Sequence, residues 1–110
     1  MKLKLIDTKE LNCSQIGIVA REYYEIGGYK VITDTYDSGF ISVNITRKNG
    51  NKYLPLIYGE YDLEECTLCK FVIQTTSYGS LEIDEIEDVI KGFEQAIEVV
   101  KILTEKFVRQ

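Results

Sequence analysis

The residues best spaced for metal or thiol chemistry are Cys66 and Cys69, in the run Cys66-Thr67-Leu68-Cys69. Such a pair serves either as a redox couple or as half of a tetrahedral zinc site. The redox use normally opens a helix, whereas the residues that follow here read as a strand. A zinc site needs two further ligands. Cys13 is the only other thiol and the chain has no His, so a carboxylate would have to complete the set. The simpler reading is two small, half-buried residues at a strand entrance. Without His there is neither the usual general base nor a Cys–His nucleophile pair. Asp and Glu together number 18, yet no spacing singles out a pair for acid–base or magnesium chemistry. There is no Walker lysine loop, and Gly27-Gly28 and Gly79 do not make a phosphate-binding fingerprint. The sequence therefore points to no catalytic residue, no metal ligand and no cofactor, and reads as a non-enzyme.

What the sequence does concentrate is negative charge. The whole chain carries −5. Residues 53–90 hold nine acids against one base, Lys70, a net of −8, and the remainder is basic by three. Four of the eight tyrosines (Tyr53, Tyr58, Tyr61 and Tyr78) lie in this segment. Tyrosine gives large contact area at low rotamer cost and is enriched at interface hot spots. Tyr58, Glu60, Tyr61, Asp62, Glu64 and Glu65, followed by Glu82, Asp84, Glu85, Glu87 and Asp88, are thus the candidate partner-binding residues. Their one-signed field suits a basic partner. The acidic balance argues against direct binding to nucleic acid, which needs a basic surface. Arg47, Lys48 and Lys52 make a small basic tip, too few charges for a nucleic-acid footprint.

The elements that must position these residues read as α+β: an antiparallel β-meander of about four strands packed against a long C-terminal amphipathic α-helix, with an N-terminal helix before it. Residues 3–6 alternate weakly, as a short strand does. Residues 14–26 fit both a helical stripe and a strand; the terminal Gly27-Gly28 and the charged Arg21-Glu22 favour helix. Residues 30–36, 40–48 and 52–58 have strand composition, as do residues 68–77. Asn49-Gly50 predicts a two-residue hairpin that pairs Ile45 with Leu54, Val43 with Leu56 and Ile41 with Tyr58. Asp37-Ser38-Gly39 reads as the preceding turn, and Pro55 places its strand at an edge or a bulge. From about Asp84 to Val108 the apolar spacing predicts the long helix, with Asp84 and Glu87 as a capping box. Gly92 within it marks a close approach or a bend. Val99, Ile102 and Val108 fall off its central stripe, and as an exposed patch they would make a homodimer interface.

Length and apolar fraction fit one domain spanning residues 1–110. The N-terminus lacks the apolar run of a signal peptide, and no run is long enough to span a membrane. An odd cysteine count suits a reducing cytoplasm. A short, acidic, tyrosine-rich chain of β-hairpins and one long helix resembles small proteins of phages and other mobile elements of low-GC bacteria. That resemblance implies an anti-CRISPR or other anti-defence inhibitor, which presents carboxylates where its target expects phosphates. The expected function is accordingly a non-catalytic nucleic-acid mimic that inhibits a basic nucleic-acid-processing protein. Two other readings stay open. One is an oligomeric nucleotide-signal sponge, with Arg21, Arg47 or Arg109 on phosphate. The other is an assembly or interaction domain.

Overall fold

β-Branched and aromatic residues dominate the first half of the chain, and they form four consecutive antiparallel strands. In the computed structural model, which describes residues 1–13, 17–75 and 78–108, these are β1 (Lys4–Cys13), β2 (Ile18–Ile26), β3 (Tyr29–Tyr36) and β4 (Ile41–Arg47). They pair as a simple meander in the order β1-β2-β3-β4. A second, two-stranded sheet follows, β5 (Leu56–Asp62) with β6 (Thr67–Gln74), and then the helix α1 (Ile83–Phe107). The architecture is α+β, with a meander and one long C-terminal helix. The inner face of the meander presents Tyr24, Ile26, Tyr29, Val31, Val43 and Ile45, which α1 covers with Ala96, Val99 and Leu103, all three fully buried. The hairpin of β5 and β6 closes the core with Ile57, Leu68 and Phe71.

Of the expected helix over residues 14–26, the described part is a turn residue, Gly17, and the strand β2 from Ile18 to Ile26, and residues 14–16 lie outside the described residues. Gly27-Gly28 is a two-residue hairpin turn rather than a helix stop: Ile26 and Tyr29 pair directly across it, and Gly27 takes φ +53°. A primed turn needs such a positive φ, which glycine adopts without strain. The charged residues that favoured helix are satisfied within the sheet. Arg21 lies opposite Asp34 and donates from Nε and Nη2 to its two carboxylate oxygens. Glu22 instead accepts the Tyr24 hydroxyl, from two residues along its own strand, at 2.9 Å. The strand's buried residues, Ile18, Tyr24 and Ile26, keep a period of two, and the charged Glu22 interrupts the apolar alternation between them.

The predicted hairpin across Asn49-Gly50 does not form, although both residues have positive φ, 58° and 61°. β4 pairs only with β3, placing Val43 opposite Thr33 and Ile45 opposite Val31. The chain instead turns through a short 3₁₀ segment at Lys48–Gly50 and a second turn in which Leu54 N–H donates to Asn51 O at 3.2 Å. Leu54 and Pro55 then plunge into the core. Pro55 has no N–H for a ladder, and its carbonyl accepts the buried Tyr29 hydroxyl. Strand pairing resumes only at Leu56, with β6 as partner: Ile57 opposite Ile73 and Gly59 opposite Phe71.

The helix starts two residues before the position its first acids predict. Glu82, not Asp84, is the N-cap, and it forms a capping box with Glu85 rather than Glu87. The buried stripe is also turned from the expected one. Gly92, Ala96, Val99 and Leu103 are buried, and Ile102 and Val108 pack partly against the core. The patch expected from Val99, Ile102 and Val108 is therefore not on the surface. The isoleucines placed in the central stripe are exposed instead: Ile86 by 43%, Ile90 by 52% and Ile97 by 45%, with Ile83 at 75% beside them.

Candidate functional site

The eleven candidate residues fall into two groups at opposite ends of the molecule. Asp62, Glu64 and Glu65 form the tip of the β5–β6 hairpin. One Asp62 oxygen accepts the backbone N–H of Glu64 at 2.9 Å and of Glu65 at 3.2 Å, which fixes the turn and points it acid-outward. This tip lies beside the C-terminal end of α1, where Glu65, Cys66 and Leu68 share a groove with Phe107. Glu82, Asp84, Glu85, Glu87 and Asp88 form the first turns of α1, tied to the start of the hairpin where Tyr53 donates its hydroxyl to Glu85 at 3.1 Å. From residue 85 to residue 107 a helix rises about 33 Å, at ~1.5 Å per residue. The molecule is correspondingly elongated, 51 × 29 × 24 Å. The −8 segment is therefore two acidic poles rather than one face.

Several of the acids hold the fold locally. Asp62 caps the hairpin turn, Glu82 and Glu85 cap the helix, and Glu60 lies 3.6 Å from Lys70 across the strand pair. Glu64 and Glu65 at one pole, and Asp84, Glu87 and Asp88 at the other, are exposed and form no ion pair among the described residues. Tyr58 is exposed on the outside of the hairpin. Tyr61 is not available to a partner through its hydroxyl. That group accepts Val43 N–H at 2.8 Å and donates to Val43 O at 3.2 Å. One phenol thus satisfies both backbone groups of a residue on the β4 edge that β3 does not use.

Two tyrosines inside the core are weaker acids than surface phenols. Burial pushes the Tyr24 and Tyr29 hydroxyls up to about 12, aided at Tyr24 by the hydrogen bond to Glu22. They are structural. The arginines considered for phosphate are engaged elsewhere: Arg21 is held by Asp34, and Arg47 donates to the carbonyls of Asn51 and Leu54 at 3.3 and 3.4 Å. Arg109 lies outside the described residues. Cys66 and Cys69 are free and exposed, not half-buried. Cys66 takes φ +53° in the hairpin turn. Among the described residues no group of three or more His, Cys, Asp or Glu side chains is placed to hold a metal ion.

The surface feature that sequence reasoning missed is the flank of α1. Ile83, Ile86, Ile90 and Ile97 run along it roughly a third to a half of a turn from the buried stripe, at ~100° per residue. Glu87, Glu94 and Lys101 border it on the solvent side. The sequence signal was the interval of seven residues separating Ile83, Ile90 and Ile97, the spacing of a helix–helix seam. No helix of the described residues is long and apolar enough to cross a membrane. No protein-family model matches the chain, and neither a curated protein nor a solved structure is similar to it.

Proposed function

We propose that the protein is a small acidic, non-catalytic binding protein that occupies a basic, nucleic-acid-binding surface on another protein and so inhibits it. The observation that carries this reading is the pair of exposed carboxylate clusters, Glu64/Glu65 and Asp84/Glu87/Asp88, without ion pairs among the described residues and set at opposite ends of α1, a helix segment that rises about 33 Å between residues 85 and 107. Successive turns of a DNA duplex repeat at ~34–36 Å, so two such poles address the phosphate sites that a duplex-binding groove offers one turn apart. Each cluster is positioned by the fold, through the Asp62 turn and the Glu82–Glu85 capping box. The order of the carboxylates is therefore set before binding, which lowers the cost of association. The engaged arginines support this reading over the nucleotide sponge. A reducing cytoplasm is the setting it implies, since Cys66 and Cys69 are exposed thiols.

The test is competitive. The immobilised chain, incubated with bacterial lysate at low ionic strength, should retain nucleic-acid-binding proteins that duplex DNA releases without added salt. Charge reversal at either pole, Glu64→Lys with Glu65→Lys or Glu87→Lys with Asp88→Lys, should weaken retention. If nothing retained is displaced by duplex DNA, or if both double variants retain it unchanged, the reading is wrong.

A further inference from the structure

We propose that a second copy of this chain docks on the exposed flank of α1, the two helices antiparallel about a two-fold axis near Glu94. The proposal starts from an apolar arc wider than the core needs. Gly92, Ala96, Val99 and Leu103 meet the sheets, whereas Ile83, Ile86, Ile90 and Ile97 stay 75, 43, 52 and 45% exposed. Four isoleucines in a row on one helix are a contiguous patch, not the scattered surface apolar residues that need no explanation. Their positions follow a heptad. Ile83, Ile90 and Ile97 repeat at sevens, and Ile86, Phe93 and Val100 repeat at sevens three residues later. This is the alternating three–four spacing that packs one helix against another.

Charge decides both the occupant and its direction. The helix is acidic in its first turns, with Asp84, Glu85, Glu87 and Asp88, and has Lys101 and Lys106 toward its end. A parallel pair would stack the acidic turns on one another and align both macrodipoles. An antiparallel pair opposes the dipoles and sets each acidic start beside the other copy's last turns, where Glu98 and Glu105 balance Lys101 and Lys106, rather than beside a second acidic start. In the antiparallel heptad register Ile90 meets the second copy's Val100 and Phe93 meets its Ile97. Along the solvent border Glu87 then faces Lys101 twice, once on each side of the axis. In the free chain Lys101 lies only 3.7 Å from Glu98, both well exposed, a loose pair that yields readily to a new one. Glu94 faces its own copy at the axis and is the one like-charged meeting on that border. An unrelated partner would have no reason to match this charge order, which is complementary to itself.

The pairing goes beyond the proposed function and also bears on it. Because the hairpin tip lies at the end of α1 occupied by Phe107, an antiparallel pair brings Asp84, Glu87 and Asp88 of each copy to the end that holds the other copy's Glu64 and Glu65. The acidic segment that one chain divides is reassembled between two.

Sedimentation equilibrium of the full chain tests the pairing without reference to any partner protein. The expected mass is twice the 12.6 kDa of one chain. Ile90→Lys should return it to one chain while the far-UV spectrum stays unchanged. Lys101→Glu should weaken the dimer about 10-fold or more, and adding Glu87→Lys should restore it, a rescue that misfolding does not mimic. With the native cysteines replaced by Ser, Glu94→Cys should cross-link to itself on mild oxidation and Glu87→Cys should not. A single 12.6 kDa species at high micromolar concentration overturns the proposal and leaves the flank to another protein. So does a dimer that survives Ile90→Lys, a charge swap without rescue, or preferential self-cross-linking at position 87. The proposed function is read separately, as DNA-displaceable capture at low salt and its weakening by Glu64→Lys with Glu65→Lys, which leaves the paired helix faces untouched, so the two readings fail separately.

Discussion

Replacing Gly92 by Ala sets two effects of opposite sign against each other. In an exposed helix interior the change stabilises by about 1 kcal/mol, because Ala loses less backbone entropy. Here the helix lies against the Tyr53–Leu54 backbone. A Cβ on residue 92 would fall inside the van der Waals shell of the Tyr53 carbonyl oxygen, with the Tyr53 carbonyl carbon at 3.0 Å and Leu54 Cα at 3.6 Å. Those atoms are main chain, fixed on either side by the buried Leu54 and by the Tyr53–Glu85 hydrogen bond. They cannot swing aside as a side-chain tip would. The helix must lift instead, and Ala96, Val99 and Leu103, each 0% exposed, lift with it. Overpacking of this kind costs about 1–3 kcal/mol, and more when backbone is displaced. The cost exceeds the propensity gain, so Gly92→Ala should be less stable than the native chain by about 1–2 kcal/mol. At about 4–8 °C per kcal/mol for a domain near this size, Tm falls by roughly 5–15 °C. Thermal and urea unfolding followed by helical circular dichroism measure it, with the exposed neighbour Lys91→Ala as a control that stays within about 0.5 kcal/mol. A Gly92→Ala chain as stable as the native one, or more so, would refute the close approach.

Tyr61→Phe removes the hydroxyl that serves both Val43 N–H and Val43 O; it should cost about 1–3 kcal/mol in urea unfolding, and the Val43 amide should exchange with solvent markedly faster. Tyr24 and Tyr29 make stability fall in alkali. Each phenol is neutral when protonated, and burial raises it from 10.0 to about 12 in the folded chain, so the folded state holds its protons more tightly. This stability is whole below pH 10 and is lost as pH rises toward 12, on the order of 2–3 kcal/mol for each group; unfolding midpoints at pH 9 and pH 11 should show it, and Tyr29→Phe should flatten the dependence. Val99→Lys places an ammonium at a fully buried position and should unfold the chain, at a cost above ~3 kcal/mol, with loss of its helical spectrum as the readout.

Sequence patterning located α1 almost to the residue, because an apolar stripe sustained over six turns is hard to mimic by accident. It also located β3, β4 and β6 and the class of fold, since runs of Val, Ile, Thr and Tyr have few other uses. It failed where local signals compete. Asn49-Gly50 adopts the backbone of a hairpin turn but has no partner strand to join, because Leu54 and Pro55 are needed in the core. Gly27-Gly28 is equally suited to ending a helix and to turning a hairpin, and only the cross-strand Arg21–Asp34 pair, 13 residues apart, distinguishes the two. The helix face was misjudged because its apolar arc exceeds half the circumference. Periodicity alone cannot say which part of such an arc the sheet takes, and Gly92, the residue nearest the hairpin backbone, carries no hydrophobicity to weigh. The acidic residues were legible as a charge, not as a shape, since their division into two poles follows from the hairpin tip lying against the far end of the helix.

That division changes what the charge can do. At 0.1 M salt the Debye length is about 10 Å, roughly a third of the separation between the poles. Each pole therefore acts on a partner almost independently, with two unpaired carboxylates at the hairpin tip and three at the helix start. Two or three exposed charges steer association weakly, because each is screened and each pair formed at the surface is worth little. A partner that engages both poles gains through geometry rather than through field strength: the second contact becomes intramolecular once the first is made. The fixed rise of α1 then selects for a surface with basic sites at its own spacing. An antiparallel pair would engage Glu87 with the second copy's Lys101 and gather the other four carboxylates, Glu64, Glu65, Asp84 and Asp88, at each end of a single assembly. Loss of the dimer should accordingly weaken capture at moderate salt more than at low salt, where single poles still reach their sites.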